Sequence, residues 1–205
     1  MSAFGIISGL GGITHGVGEA LQGNVAPAGI VFDSWVEGPI AAHMGGEPGV
    51  TVVPNLLATG ALTVVFSLAM VLWSGFFAGT RHAGRVQVLL SAGMLLVGGG
   101  FAPPVIGMLA GAAGLRLGAP HTRLRKHLPA GFRRFLARLW PWVFGVALAN
   151  GALLVAGSII LVYVFDVDAP EIFVGSFLFA IASLLLSAVS GVAFDIQHHQ
   201  PGHTG

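Results

Sequence analysis

Five stretches of this chain, 3–22, 51–78, 86–115, 140–165 and 172–194, each run for twenty residues or more without Lys or Arg, and Glu19 is the one acidic residue among them. An apolar helix of about twenty residues is what crosses the hydrocarbon of a bilayer. With five such stretches, the chain has little left to clothe a water-facing surface. Charged residues make up 8% of the whole and hydrophobic ones 55%, whereas a soluble domain carries about 25% charged residues. The expectation is an all-α polytopic membrane protein, one membrane domain over 1–205. Membrane strands would alternate in polarity with a period of two, but 153–165 and 181–186 are apolar almost continuously.

Other classes fall away on composition. The 32 Gly and 11 Pro follow no G-X-Y period, and the apolar content is too high for collagen or disorder. In a bilayer, glycine lets helices approach closely. The GxxxG spacings Gly5/Gly9, Gly12/Gly16 and Gly107/Gly111 predict packed glycine faces, against helices of this chain, a second copy or another membrane subunit. With no Cys there are no disulfides, thiolate nucleophiles or Cys-ligated clusters. A net charge of +1 gives no reason to expect nucleic acid as a partner. P-loop, G-x-S-x-G and H-E-x-x-H motifs are missing. Only His15 lies clearly within an apolar run, which leaves a bis-His haem without its second ligand.

The distribution of charge predicts orientation. Seven of the nine basic residues lie in 116–138, namely Arg116, Arg123, Arg125, Lys126, Arg133, Arg134 and Arg138, and the other two are Arg81 and Arg85. By the positive-inside rule the 116–139 loop is cytoplasmic, in a cell inner or plasma membrane. Asp33, Glu37 and Glu47 fall in a polar loop at 23–50, and Asp166, Asp168 and Glu171 between the last two runs, with no basic residue in either place. The first run has no Lys or Arg before it, so it is expected to remain in the mature protein. A tail at 196–205, holding three of the eight His, reads as a solvated end.

The third run decides the span count. Its centre, GGGFAPP at 98–104, weakens and then breaks a helix. Two arms of about 13 residues would each reach about 20 Å, short of the ~30 Å core. One reading is four transmembrane helices plus a re-entrant hairpin at 86–115, with the amino terminus inside. The other is a single kinked helix, giving five spans and a cytoplasmic 23–50 loop. At 130–139, Phe132, Phe135, Leu136 and Leu139 recur at helical spacing. This predicts an amphipathic helix on the inner leaflet, with Arg123, Arg125, Lys126, Arg133, Arg134 and Arg138 facing anionic lipid headgroups at about 1 kcal/mol each.

Ionisable residues inside apolar runs are the natural candidates for function. His15 and Glu19, in GITHGVGEALQGN, stand four apart on one helix face and would titrate as a coupled unit able to pass a proton. Asn55 and Asn150 either line the same pathway or hydrogen-bond across helices. The spacing of HGVGE at 15–19 recurs in HMGGE at 43–47. His15, Glu19, His43 and Glu47 therefore form a candidate set for a divalent metal, provided the 23–50 loop folds back over the end of the first helix. Asp33 and Glu37 could add ligands. Three functions follow: proton- or small-cation-linked transport, channel or sensing activity; a non-catalytic accessory subunit of a larger membrane complex; or a membrane-embedded metal enzyme.

Overall fold

The computed structural model describes residues 1–37, 41–42, 47–115, 129–167 and 170–198. The second apolar run shows the principle on which the whole chain is built. It forms helix Leu56–Phe76 (here α2), in which Thr59, Thr63, Ser67, Met70 and Ser74 are buried, while Leu62, Val65, Leu68, Leu72 and Phe76 are exposed. Both sets recur every three or four residues, so each forms one face of the helix. The polar face points inward and the aliphatic face outward, the reverse of a helix packed in water. Hydrocarbon solvates the aliphatic face at no cost, whereas an unpaired hydroxyl there would be expensive.

Helix α1 (Ser2–Leu21) buries Gly5, Ser8, Gly9, Gly12, His15, Gly16 and Glu19 along one side and runs antiparallel to α2. Gly16 and Gly60 sit backbone against backbone, and a Cβ on either would strike the other's carbonyl region. Such close approach needs residues without side chains. The third run divides into α3 (Ala83–Leu96) and α4 (Ala102–Gly114). The two pair antiparallel: Gly84 lies against Gly111 and Gly114, and Gly107 against Ser91. The break at 97–101 is made by Gly98 and Gly100, with φ of 105° and 72°, a region that residues with a Cβ rarely adopt. The arms, 14 and 13 residues long, are about 20 Å each. Their open end lies beside the amino terminus of α1, where Gly114 meets Met1, and their tip lies at the level of Glu19.

Between α1 and α2 the chain forms a two-stranded ribbon, β1 (Val31–Asp33) antiparallel to β2 (Pro48–Val50), with Phe32 opposite Gly49. The polar loop expected at 23–50 thus contains strands, and it does fold back. It is tied to the tip of the short hairpin by Val52 N–H to Leu96 O at 3.0 Å, and to the start of α2 by Leu56 N–H to Val25 O at 2.8 Å.

Two further helices pack alongside. Helix α5 (Ala130–Ala152) continues through a π-helical turn, Leu153–Gly157, into α6 (Ser158–Phe165), and α7 (Pro170–His198) returns antiparallel to it. Trp140 stacks near Phe194 with ring centroids 4.8 Å apart, and Asn150 Nδ2 donates to Ser176 O at 2.8 Å. The separate interfacial helix expected at 130–139 is not formed. That segment is the first part of α5, because neither Gly nor Pro interrupts 132–140, and Pro141 falls inside the helix without ending it. Among the described residues, Arg81, Arg85, Arg133, Arg134 and Arg138 lie at the end holding Met1, while Asp33, Glu37, Glu47 and Asp166 lie at the ribbon end.

The architecture is all-α apart from the ribbon. Three helical segments, Leu56–Phe76, Ala130–Gly157 and Glu171–His198, are long and apolar enough to cross a membrane, and Ala83–Leu96 and Ala102–Gly114 are shorter apolar helices.

Candidate functional site

The ribbon, the tip of the short hairpin and the last turns of α1 meet at one place, and both ionisable residues of α1 are buried there. His15 is 6% exposed and Glu19 is fully buried. Pairing of β1 with β2, extended by Ser34 N–H to Glu47 O at 2.8 Å, sets Ser34 and Glu47 side by side over α1. Ser34 Oγ lies 3.1 Å from His15 Nδ1 and donates to Glu19 Oε1 at 3.1 Å. On the other side of the imidazole, Nε2 is 3.1 Å from Glu47 Oε2. Thr63 Oγ1 is 3.2 Å from Glu19 Oε2 and also contacts Val97 O. The result is an unbroken chain, Glu47, His15, Ser34, Glu19.

Backbone from the hairpin tip closes the site. A Cβ on Gly98 would overlap the Glu19 carboxylate, and one on Gly100 would overlap the His15 ring. These two glycines are required twice, for their positive φ and for the space they leave. On the far side of Glu19 the interior between α1, α2, α3 and α4 stays polar. Thr63, Ser67, Ser74, Gln87, Ser91 and Ser8 are all fully buried. Ser8 donates to Pro103 O at 2.6 Å and Gln87 Nε2 to Gly107 O at 3.2 Å. Gln87 Oε1 meets no donor among the described residues.

Hydrogen counting shows what the four-membered chain can do. Ser34 has one hydroxyl hydrogen, and neutral imidazole has one N–H. If both carboxylates are charged, all three bonds are satisfied only when His15 carries both protons. If His15 is neutral, the remaining proton sits on Glu47 or on Glu19, and each position orients every bond one way. Moving it from Glu47 to Glu19 reverses all three bonds and needs no heavy-atom displacement larger than a hydroxyl rotation.

The structure places the other sequence candidates elsewhere. Asn55 is the N-cap of α2, its Oδ1 accepting from Ala58 N–H at 3.0 Å and its Nδ2 contacting Asn24. Asn150 bridges α5 to α7. Neither bonds to the His15–Glu19 cluster. Of the metal set, His15 and Glu47 come together. Glu19 is joined to them through Ser34, and His43 lies outside the described residues, as do Arg123, Arg125 and Lys126. Among the described residues no three His, Asp or Glu side chains converge as ligands. The glycine faces pack within the chain: Gly5 on Ser74, Gly12 on Ser67 and Met94, and Gly111 on Gly84.

Ser34 and Thr63, which hold Glu19, were not singled out by the sequence. Thr63 had a legible signal, the Thr59, Thr63, Ser67, Ser74 spacing in an uncharged run. Ser34 had none, since its role depends on the loop folding back across α1.

The fold and the buried cluster define an all-α protein with membrane-length apolar helices and a polar interior. No family model matches the chain, and no curated protein or solved structure does.

Proposed function

We propose that this is a multi-pass protein of the cell inner membrane that moves or senses protons through the buried chain Glu47, His15, Ser34, Glu19. The observation that carries this reading is Glu19, a fully buried carboxylate whose bonding partners are two hydroxyls, one of which leads directly to an imidazole. A charge buried with no basic partner is costly unless it exchanges a proton. The polar seam from Thr63 to Ser74 supports continuation of the path toward the opposite end, because hydroxyls both accept and donate.

In this reading the end with Arg81, Arg85 and the 116–139 loop faces the cytoplasm. Helices α1, α2, α5–α6 and α7 cross, and the α3–α4 hairpin enters from the cytoplasmic side without crossing, its tip held by the outer ribbon. Four spans plus one re-entrant element follow. The basic loop, with Arg133, Arg134 and Arg138 on the first turns of α5, then rests against anionic headgroups. An accessory subunit docking by glycine faces would need other surfaces, since those faces are covered by this chain's own helices.

The test is proton flux in proteoliposomes loaded with a pH-sensitive dye. Glu19→Gln keeps the hydrogen-bonding shape and removes the titrating group. Flux is expected in the parent and to fall at least about tenfold in the variant, a barrier increase of roughly 1.4 kcal/mol. Equal flux in the two proteins would remove Glu19 from the mechanism, and no flux in the parent would remove transport, leaving sensing.

A further inference from the structure

The outer member of the chain does not open onto a simple polar vestibule. His15 and Glu47 form the polar end of a cleft of about 310 Å³ between the α1–α4 unit and the α5–α7 pair. Its other walls are mainly apolar, with Phe101 at the hairpin tip, Phe173 and Phe177 on α7, and Leu154 and Val155 on the π-helical turn; the hydroxyls of Ser8 and Thr14, which also line it, are bonded to backbone carbonyls. A π-turn inserts an extra residue into a helix and re-aims the side chains around it, and such turns are frequent at binding sites. Here the turn supplies one wall of the cleft. Convergent polar groups at one end of an otherwise apolar, aromatic-lined cavity are the usual form of a site for a small, lipid-soluble molecule.

We propose that this cleft binds a neutral, ring-bearing amphiphile whose hydroxyl or carbonyl oxygen meets His15 Nε2 and Glu47 Oε2. This rests on the proton-relay reading and deepens it by naming what occupies the outer end of the relay. The charge of the ligand follows from the lining. Among the described residues no Lys or Arg lines the cleft, so a phosphate or fatty-acid carboxylate would meet the Glu47 carboxylate without compensation. Glu47 already has His15 as its partner at 3.1 Å, so a cationic headgroup would have to displace that bond. A hydroxyl or carbonyl brings no charge: the hydroxyl can donate to a further lone pair of the Glu47 carboxylate, and a carbonyl oxygen can share the His15 Nε2–H with Glu47. The three phenylalanine rings favour a flat, unsaturated head, through offset or edge contacts. A quinol and its quinone are the simplest molecules with these properties, and so is a substituted phenol. The shared chemistry is a ring oxygen on an apolar body.

The experiment is calorimetric titration of the full chain in maltoside detergent with a decyl-substituted benzoquinone, the matching quinol and a decyl phenol. Dodecyltrimethylammonium and laurate serve as charged comparisons. Saturable binding of at least one neutral probe near one per chain is expected, with both charged probes at least about tenfold weaker, as 1.4 kcal/mol of discrimination requires. Val155→Trp, which fills the cleft, is expected to weaken the neutral probe by at least about tenfold, while Leu185→Trp on an exposed face leaves it unchanged. Should Val155→Trp fail to fold, Glu47→Gln is the second variant, with a change of about threefold or more expected from the altered hydrogen bond. Non-saturable uptake of every neutral probe, tighter binding of the ammonium probe, or parent-like binding by Val155→Trp or Glu47→Gln would overturn the proposal. The two readings separate cleanly. Binding without proton flux removes transport and keeps the site, and Glu19-dependent flux without binding keeps transport and removes the site.

Discussion

Gly98 and Gly100 show how closely single residues control this protein. Each has a positive φ, and each leaves the space that Glu19 or His15 fills. Gly98→Ala would incur backbone strain of about 1 kcal/mol or more and press a methyl group into the carboxylate. Its thermal midpoint in detergent is expected to fall by several degrees, and its proton flux with it. Gly75→Ala is the matched comparison: it lies in α2 with open space around it and should be neutral or stabilising by up to about 1 kcal/mol. Ser34 is the other decisive residue. Ser34→Ala removes the one hydroxyl that joins His15 to Glu19 and leaves two buried groups short of a partner, at about 1–3 kcal/mol. Flux should be lost as fully as in Glu19→Gln, whereas Ser34→Thr, which restores a hydroxyl, should recover part of it. Parent-like flux in Ser34→Ala would show that protons do not pass by this chain of bonds.

At the scale of elements, helix boundaries follow local chemistry. Asn55 starts α2 by accepting from Ala58 N–H, so Asn55→Ala should cost about 1 kcal/mol of stability and leave proton flux unchanged. A loss of flux in the folded variant would place Asn55 in the pathway. Asp166, with a φ of 52°, ends α6 in the left-handed region that short polar residues tolerate. The paired arms α3 and α4 are too short to cross, and their tip is nonetheless fixed, because the ribbon and Glu19 hold it. Such irregular backbone survives at membrane depth only when it is packed in protein. The π-turn at Leu153–Gly157 departs from regular helix in the same way, beside the cleft.

For the whole molecule, the arrangement of polarity is inverted relative to a soluble protein. Ser, Thr, Gln, His and Glu make up nearly half of the buried side chains among the described residues, and most of the large aliphatic and aromatic ones lie outside. Among the described residues the arginines gather at one end and Asp33, Glu37, Glu47 and Asp166 at the other, while Asp195 shares the basic end. The consequence can be tested by single cysteines in a chain that has none of its own. Glu37→Cys is expected to react with a membrane-impermeant maleimide added to intact cells, and Arg81→Cys only after permeabilisation. Both positions are exposed. Labelling of Arg81→Cys from outside would invert the topology and detach the relay from the outer face.

The helices long and apolar enough to cross a membrane, their approximate ends, the break at 98–104 and the placing of His15 and Glu19 on one helix face were all legible in the sequence. Each depends on hydropathy or on a spacing within one helix, which is local information. The polar face of α2 was legible too, since Thr59, Thr63, Ser67 and Ser74 repeat at helical intervals. Tertiary structure decided the rest. It folded the 23–50 loop into a ribbon and brought Ser34 and Glu47 onto α1. It also made Asn150 a bridge from α5 to Ser176 on α7. Those outcomes depend on contacts between residues 15 to 40 or more positions apart, where geometry set by packing, rather than any periodic pattern, determines which polar groups meet.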